Sequence, residues 1–407
     1  MRFPVRRPAL PLQSFRLKNF KSVRDSGVVK FTPLTAFIGN NGSGKSSLIE
    51  GLETFQTILM DGLDTAMQQW HGFEHIWNQY PKRKLLQPAE ERSRFTEPMR
   101  FELRGMVEPR YRELRAYHAM MEINAGPNNS GEDEIFIQQE QGSLKGEIEY
   151  VRNSAGVTDI VEGTEPGWEL PYSFLADHSS LTGMLRSSVP KWQFLSLVPQ
   201  AMSLPVPQKR TGGQILLAKD GSNLAEYLLN IRRFDRENGT TVIDGIVETL
   251  QYVLPYARDV QPALTSELER SVYLQLTESD FKLPGWLLST GTLRILALLA
   301  VLRHPTPPPL LVVEEIENGL DPRTINLVVE EIRSVVESGS IQVIITTHSP
   351  YLLDLLTLSQ IIVVERDEKG SPVFTRPADH ESLQKWSEKF SPGQLYTMSK
   401  LGGRKSS

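Results

Sequence analysis

Leu34-Thr35-Ala36-Phe37-Ile38-Gly39-Asn40-Asn41-Gly42-Ser43-Gly44-Lys45-Ser46-Ser47 is the stretch whose reading decides the fold of this 407-residue chain. It begins with an apolar run of strand length and turns through glycines. Leu48, Ile49, Leu52, Phe55, Ile58 and Leu59 then recur at helical spacing. From Gly39 to Ser46 it fits G-x-x-x-x-G-K-[ST] at every fixed position, and a strand before and a helix after are the context that gives this pattern meaning. The physical reason is backbone access. Glycines let successive N–H groups turn toward phosphate oxygens, the helix start adds positive potential, Lys45 reaches the outer phosphates and the Ser46 hydroxyl is placed for Mg²⁺. Gly39, Asn40, Asn41, Gly42, Ser43, Gly44, Lys45, Ser46 and Ser47 are therefore the candidate phosphate-binding set, with Ser46 also a candidate metal ligand.

The composition, 39% apolar and 23% charged, suits a soluble globular chain of two or three domain-sized units. A net charge of -5 excludes a generic polyanion binder. The charge is uneven, because residues 1–30 carry eight Lys or Arg against the single acid Asp25. Such a cluster is either a nucleic-acid-facing edge or a solvated face. With no cysteine, disulfides, thiolate zinc sites and cysteine nucleophiles are excluded together. The basic N-terminus is broken by prolines and has no apolar run of signal-peptide length, and no window approaches a membrane span. A cytoplasmic protein without membrane insertion is expected.

Outward from the loop, Ser14 to Phe20 and Val28 to Phe31 read as strands, and residues 61–97 as loosely helical. From Arg100 to Gly163 the apolar period is two, which predicts an antiparallel meander with Asn124 to Gly131 as an exposed loop. Helical patterns return from about 172, on faces such as Leu224, Tyr227, Leu228, Ile231 and Phe234. The last third alternates a helix (292–303), a buried strand (310–313), a helix (322–337), a strand (341–346), a short helix from Pro350 and a strand (360–365), the order of a parallel α/β sheet. Asp321 before Pro322 and Ser349 before Pro350 are each an N-cap followed by proline at the first helical position. There is no internal repeat and no long heptad seam.

Glu314 and Glu315 end the apolar strand Leu310-Leu311-Val312-Val313, where parallel sheets place ligand groups. Adjacent carboxylates there suit a nucleotide site, one for the metal and one to polarise an attacking water. Leu288-Ser289-Thr290-Gly291-Thr292 opens a second helix with small residues and a hydroxyl, either an ordinary cap or an anion site. His348, at the end of the 341–346 strand, is placed for a phosphate contact or is simply a polar strand-end residue.

In the order G-N-N-G-S-G-K-S, L-S-T-G-T, L-L-V-V-E-E-I-E-N-G-L-D-P and T-T-H-S-P-Y-L-L-D, the chain resembles the ATP-binding-cassette ATPase class, in its branch of SMC, RecF and OLD-family ATPases. The early S-F-R-L-K-N-F-K-S is similar to the strand with which that branch begins. The motifs cover residues 14–60 and 285–366. The resemblance implies a stand-alone α/β ABC-type ATPase head of the AAA_21 type: a P-loop parallel sheet from 1–60 and 285–407, an antiparallel β subdomain over 61–170, and a mainly helical insertion over 171–284. It implies ATP and Mg²⁺ as ligands, Lys45 and Ser46 as the Walker A lysine and metal ligand, and Glu314 as the Walker B acid and second metal ligand. Glu315 would be the catalytic glutamate, Ser289 and Gly291 the signature contacts, Asp321 the D-loop aspartate and His348 the switch histidine. The signature reads L-S-T-G-T rather than L-S-G-G-Q and the Walker B acid is Glu rather than Asp, both in keeping with the SMC, RecF and OLD side of the class. Gln87, Gln139 and Gln141 remain alternatives for the Q-loop glutamine.

The resemblance further implies a homodimer joined by ATP, one subunit's signature serine meeting the γ-phosphate held by the other's Walker A loop. DNA maintenance and repair or antiviral defence are the implied settings, with DNA and a separate nuclease or toxin effector as partner classes. The 59 residues after His348 are too few for a TOPRIM nuclease domain beside the elements that finish the ATPase, so nuclease chemistry is expected elsewhere. A transporter nucleotide-binding subunit is a competing class, opposed by the large insertion before the signature and by the Glu-Glu pair. A nucleotide-gated scaffold with little turnover is another. His71-Gly72-Phe73-Glu74-His75 matches the inverted zinc-protease pattern H-x-x-E-H, but a glycine interrupts the helix it needs and no third ligand is placed.

Overall fold

The structure is a computed structural model that describes residues 10–78, 97–107, 114–127, 133–144, 147–153, 156–160, 185, 188–209, 215–265 and 270–402. The N-terminal part holds β1 (Ser14–Phe20), β2 (Val23–Asp25), β3 (Val29–Lys30), β4 (Leu34–Ile38), α1 (Lys45–Asp61), α2 (Leu63–Gln68) and α3 (Phe73–Ile76). Next come β5 (Met99–Val107), β6 (Arg115–Pro127), β7 (Asp133–Leu144), β8 (Glu147–Asn153) and β9 (Gly156–Ile160). The middle contains β10 (Gln193–Leu195), α4 (Pro199–Met202), β11 (Val206–Pro207), α5 (Leu224–Asn238), α6 (Val242–Gln251), β12 (Ala257–Leu264), β13 (Ser271–Glu278) and β14 (Phe281–Pro284). The last part runs through α7 (Thr290–Leu302), β15 (Leu310–Val313), α8 (Pro322–Glu337), β16 (Gln342–Thr347), α9 (Pro350–Asp354), β17 (Ile361–Arg366), β18 (Pro372–Thr375), α10 (Glu381–Ser387) and α11 (Pro392–Thr397).

The central sheet has the order β10-β15-β16-β4-β17-β18, parallel except for β18. β4, β15 and β16 are buried along their whole length, which is why they read as largely apolar runs rather than as an alternation. Alternate residues nevertheless serve opposite sides. Leu311, Val313, Val343 and Ile345 join a core with α5, α6, α7 and α8, while Leu310, Val312 and Ile344 join one with α1 and the antiparallel sheet. Each such fully buried side chain contributes roughly 1.5–3 kcal/mol. α7 buries ten residues on nearly all its sides, as its Leu-Ala-Val composition requires.

A second sheet, in the order β2-β1-β5-β6-β7-β8-β9 with β3 on β1, covers α1 from the other side. Gly51 makes this approach possible, since a Cβ there would lie 2.5 Å from Leu17 Cδ2. Phe20, Phe101 and Phe55 then pack ring against ring across the gap. β5 to β9 pair in succession as the expected antiparallel meander among the described residues from Met99 to Ile160.

Several expectations change. Of the strands ahead of the P-loop, β1 pairs with β5 and β3 with β1 in the antiparallel sheet; their apolar alternation suits either sheet, and only the distant partner decides. β6 runs through Pro127 with Asn124 buried, so the expected loop's first residues are strand, while 128–131 lie outside the described residues. The stretch 171–284, expected to be mainly helical with a strand at Val272, Leu274 and Leu276, has that strand as β13 and also carries β10 in the central sheet and β11, β12 and β14 beside β13. β10 is too short to show a period. Near the end of the described residues, α11 is opened by Ser391 with a capping box to Gln394. Among the described residues no helix is long and apolar enough to cross a membrane.

Candidate nucleotide site

The site lies at the carboxyl ends of β4, β15, β16 and β17, the position that parallel α/β sheets give to ligands. A cleft of about 450 Å³ is lined there by the loop from Asn41 to Ser47 and by Glu315, Thr346, His348, Arg366, Lys21 and Ser22. Gly42 (φ 72°) and Gly44 (φ 111°) take left-handed backbone that lets the loop curl onto the start of α1. Gly39 leaves no room for a side chain, because a Cβ there would stand 2.2 Å from the Val364 carbonyl.

Lys45 is buried, and its ammonium donates to the carbonyl of Gly39 at 2.6 Å and of Asn40 at 3.2 Å. Burial lowers its pKa, opposed by the charges of Glu315 and Glu317. The Ser46 hydroxyl stands beside the Glu314 carboxylate; burial raises the Glu314 pKa and the neighbouring hydroxyl pulls it back. Ser43 Oγ is buried in the cleft wall with no hydrogen-bond partner. An orphaned hydroxyl, a cation and a hydroxyl–carboxylate pair in one cradle fit a nucleotide with its Mg²⁺, for which Ser46 and Glu314 would be the protein's ligands.

Glu315 stands next to Glu314 but faces differently, for a backbone reason. Its φ is 48°, rare for a residue with a side chain, and its N–H is held by Thr346 Oγ1 at 2.8 Å. Its carboxylate lines the cleft and accepts from Asn318 Nδ2. His348 also lines the cleft, and its backbone N–H donates to Glu317 Oε1.

Ser289 and Gly291 are not in that lining. Ser289 caps α7, accepting from Thr292 N at 3.0 Å. Gly291 lies against the loop that follows Glu315, where a Cβ would meet the Gly319 carbonyl at 2.7 Å. Asp321 caps α8, accepting from the N–H groups of Arg323 and Thr324 and from the Thr324 hydroxyl, and these bonds hold its pKa down against burial. The structure thus brings the Walker A loop, Glu314, Glu315 and His348 together and leaves the signature and Asp321 outside their own chain's cleft.

Gln139 and Gln141 sit on β7 of the antiparallel sheet, not in the cleft wall, and Gln87 lies outside the described residues. The strand beside Glu314 is β10, whose Leu195 carbonyl accepts from Glu314 N at 2.8 Å. Lys21, Ser22, Thr346, Arg366 and Glu317 were not singled out from the sequence. Arg366 ends a core strand at its ligand-bearing end, a signal that was readable. The H-x-x-E-H run fails geometrically: His71 (φ 62°) and Gly72 (φ 122°) precede α3 and only the later residues are helical. No group of three or more His, Asp or Glu among the described residues could hold a metal ion. In the basic N-terminal segment Arg16 and Lys18 pair with Asp25, and Lys21 with Glu50, so these charges are answered internally.

Residues 168–354 match the family model described as "AAA domain, putative AbiEii toxin, Type IV TA system", and residues 11–78 match an AAA ATPase domain model. No curated protein matches the chain. Among solved structures, an SMC head bound to the C-winged helix domain of ScpA is 16% identical with a TM-score of 0.54, over 89% of this chain and 97% of that one. An SMC head with an extended coiled coil, bound to the C-terminal domain of ScpA derived from Pyrococcus furiosus, is 14% identical with a TM-score of 0.53, over 93% and 99%. The chain thus has the fold of an SMC head, and the two AAA family models match the segments that supply the two sides of its cleft.

Proposed function

We propose that the protein binds and hydrolyses ATP with Mg²⁺ and that ATP closes two copies into a dimer. The observation that carries this reading is the convergence of Lys45, the Ser46–Glu314 pair and Glu315 at one cleft, while Ser289 and Gly291 lie outside its lining. Lys45 and the loop amides bind the phosphates; Ser46 and Glu314 would hold the metal, which when bound neutralises charge on the phosphate oxygens. Glu315, fixed by Thr346 and Asn318, orients the attacking water and accepts its proton. His348 faces the outer phosphate. Ser289 and Gly291 complete a second molecule's cleft, with Asp321 at the seam.

Hydrolysis then works as a release step, and a bound partner is loaded or freed by it. Defence or DNA maintenance is the setting in which we place this switch, on the strength of the family descriptions, acting through a separate effector and in the cytoplasm.

The test is ATP turnover together with particle mass, with and without double-stranded DNA, for the native chain and Glu315→Gln. The expected result is turnover by the native chain and an ATP-bound dimer trapped by the variant. A variant that binds ATP yet stays monomeric at micromolar concentration sinks the homodimer. Native binding without turnover replaces the switch by a scaffold. Indifference to DNA at low salt removes the DNA role.

A further inference from the structure

The P-loop is not held by its own strand and helix alone. β17 runs parallel to β4, with Ile361, Ile362 and Val363 opposite Ala36, Phe37 and Ile38, and continues alongside the loop itself. There the Val364 carbonyl closes on Gly39, and Pro372 of the returning β18 closes on Gly44, where a Cβ would lie 2.3 Å from Pro372 Cγ. Between these two contacts the Arg366 guanidinium donates from Nε at 2.8 Å and from Nη2 at 2.6 Å to one acceptor, the Gly42 carbonyl. Its Nη1 donates to the Gly370 carbonyl at 2.5 Å. The turn that carries Gly370 is itself braced, with Asp367 Oδ1 accepting from Lys369 N and Ser371 N at 2.9 and 2.8 Å.

The consequence for the loop follows from peptide planarity. With the Gly42 carbonyl turned out toward Arg366, the Ser43 N–H points the opposite way, into the loop, where it donates to the Asn40 carbonyl at 3.1 Å. A flipped Gly42–Ser43 peptide would instead present a carbonyl oxygen to incoming phosphate, and Gly42, with no side chain to restrict its dihedral angles, does not by itself oppose that flip. A forked, always-charged donor on that carbonyl is what opposes it.

We propose that Arg366 is a positioning residue for nucleotide binding: through the Gly42 carbonyl it holds the phosphate loop in its receptive shape before the nucleotide arrives. This rests on the nucleotide reading above and assigns the β17–β18 hairpin a part in it. Because the loop shape is needed equally for ATP, ADP and the transition state, the effect falls on binding and not on the chemical step.

The experiment measures ATP and ADP affinity and steady-state kinetics for the native chain, Arg366→Ala, Arg366→Lys and Lys45→Ala, with thermal melting of each without nucleotide. For Arg366→Ala the expected change is a rise of about tenfold in both dissociation constants and in KM, with kcat within about twofold of native. Arg366→Lys, a single point-charge donor, recovers part of the affinity. Native affinity in Arg366→Ala overturns the proposal and leaves the nucleotide reading intact, as does a fall in kcat at unchanged KM, which would mean direct contact with transition-state charge. A loss of melting temperature as large in Arg366→Lys as in Arg366→Ala, with equal loss of affinity, reduces the residue to a structural brace and also overturns it. Absence of nucleotide binding by the native chain, or equal binding by Lys45→Ala, removes the nucleotide reading and the proposal with it.

Discussion

The Ser46 hydroxyl at the first turn of α1 stands beside the Glu314 carboxylate that follows β15 and pulls its pKa back against the rise that burial causes, so two segments nearly 270 residues apart meet at the site. Each oriented oxygen is also a metal ligand in the proposed function. Ser46→Ala should therefore raise the Mg²⁺ concentration needed for half-maximal ATP turnover by about tenfold, and Glu314→Gln by more. Mg²⁺ titration of turnover at saturating nucleotide checks this, and equal Mg²⁺ dependence in all three proteins would remove the assignment.

Two glycines of the same loop should answer differently to alanine. At Gly39 the new methyl meets the Val364 backbone carbonyl, which cannot rotate away, so strands β4 and β17 must part; a loss of about 1–3 kcal/mol is expected. At Gly42 the methyl meets nothing, and only the left-handed backbone is penalised, by about 1–2 kcal/mol. Urea unfolding of the two variants should place Gly39→Ala as the less stable.

Asp321 should behave as a cap before it behaves as anything else. Its carboxylate serves two backbone N–H groups and the Thr324 hydroxyl at the start of α8. Asp321→Ala should cost about 1 kcal/mol of stability, and Asp321→Asn, which keeps an acceptor, little of it. If Asp321→Asn nevertheless impairs ATP-dependent dimerisation while melting like the native chain, the seam role is supported; unchanged dimerisation in both variants would remove it.

The outer face of the antiparallel sheet carries the clearest pH signature. Glu102 on β5 is hydrogen-bonded by His118 at 3.1 Å and flanked by Arg100 and Arg104, which together hold its pKa down to about 2. A depressed carboxylate contributes stability that is complete above its unfolded value near 4.5 and is lost as pH falls through about 2. Glu102→Gln should thus be less stable by about 1–2 kcal/mol at neutral pH, after allowance for screening by solvent, and match the native chain near pH 2. Denaturant melts across that range provide the measurement, and a difference that does not shrink in acid would point to packing instead.

What the sequence disclosed and what it hid follow from the range of the forces involved. The P-loop and the Glu-Glu strand end were legible because their chemistry needs particular residue types at fixed spacing within one segment. α7 and α8 were legible because a helix closes its hydrogen bonds locally and Ser289, Asp321 and Pro322 mark its starts. β10 was not, since three residues carry no period and its place beside β15 is set by a partner over a hundred residues away. The sheet membership of β1 was hidden for the same reason. The position of Arg366 at a strand end was readable, but its bond to the Gly42 carbonyl and that of Glu317 to the His348 N–H join separate segments and leave no trace in either segment's own pattern.

The neighbours of β4 in the central sheet are β16 and β17, whose pairing with it begins at Val343 opposite Leu34 and Ile361 opposite Ala36. During synthesis, therefore, about 300 residues must be added after β4 before its first sheet partner exists, roughly 15–60 s at ordinary elongation rates. For that interval Phe37 and Ile38 have no sheet to enter, and the glycine loop beyond them has neither the Val364 carbonyl nor the Arg366 fork against it. The phosphate cradle leaves the ribosome about 300 residues ahead of the strands that complete it, so a nascent chain halted before residue 342 holds the glycine loop without the sheet that shapes it.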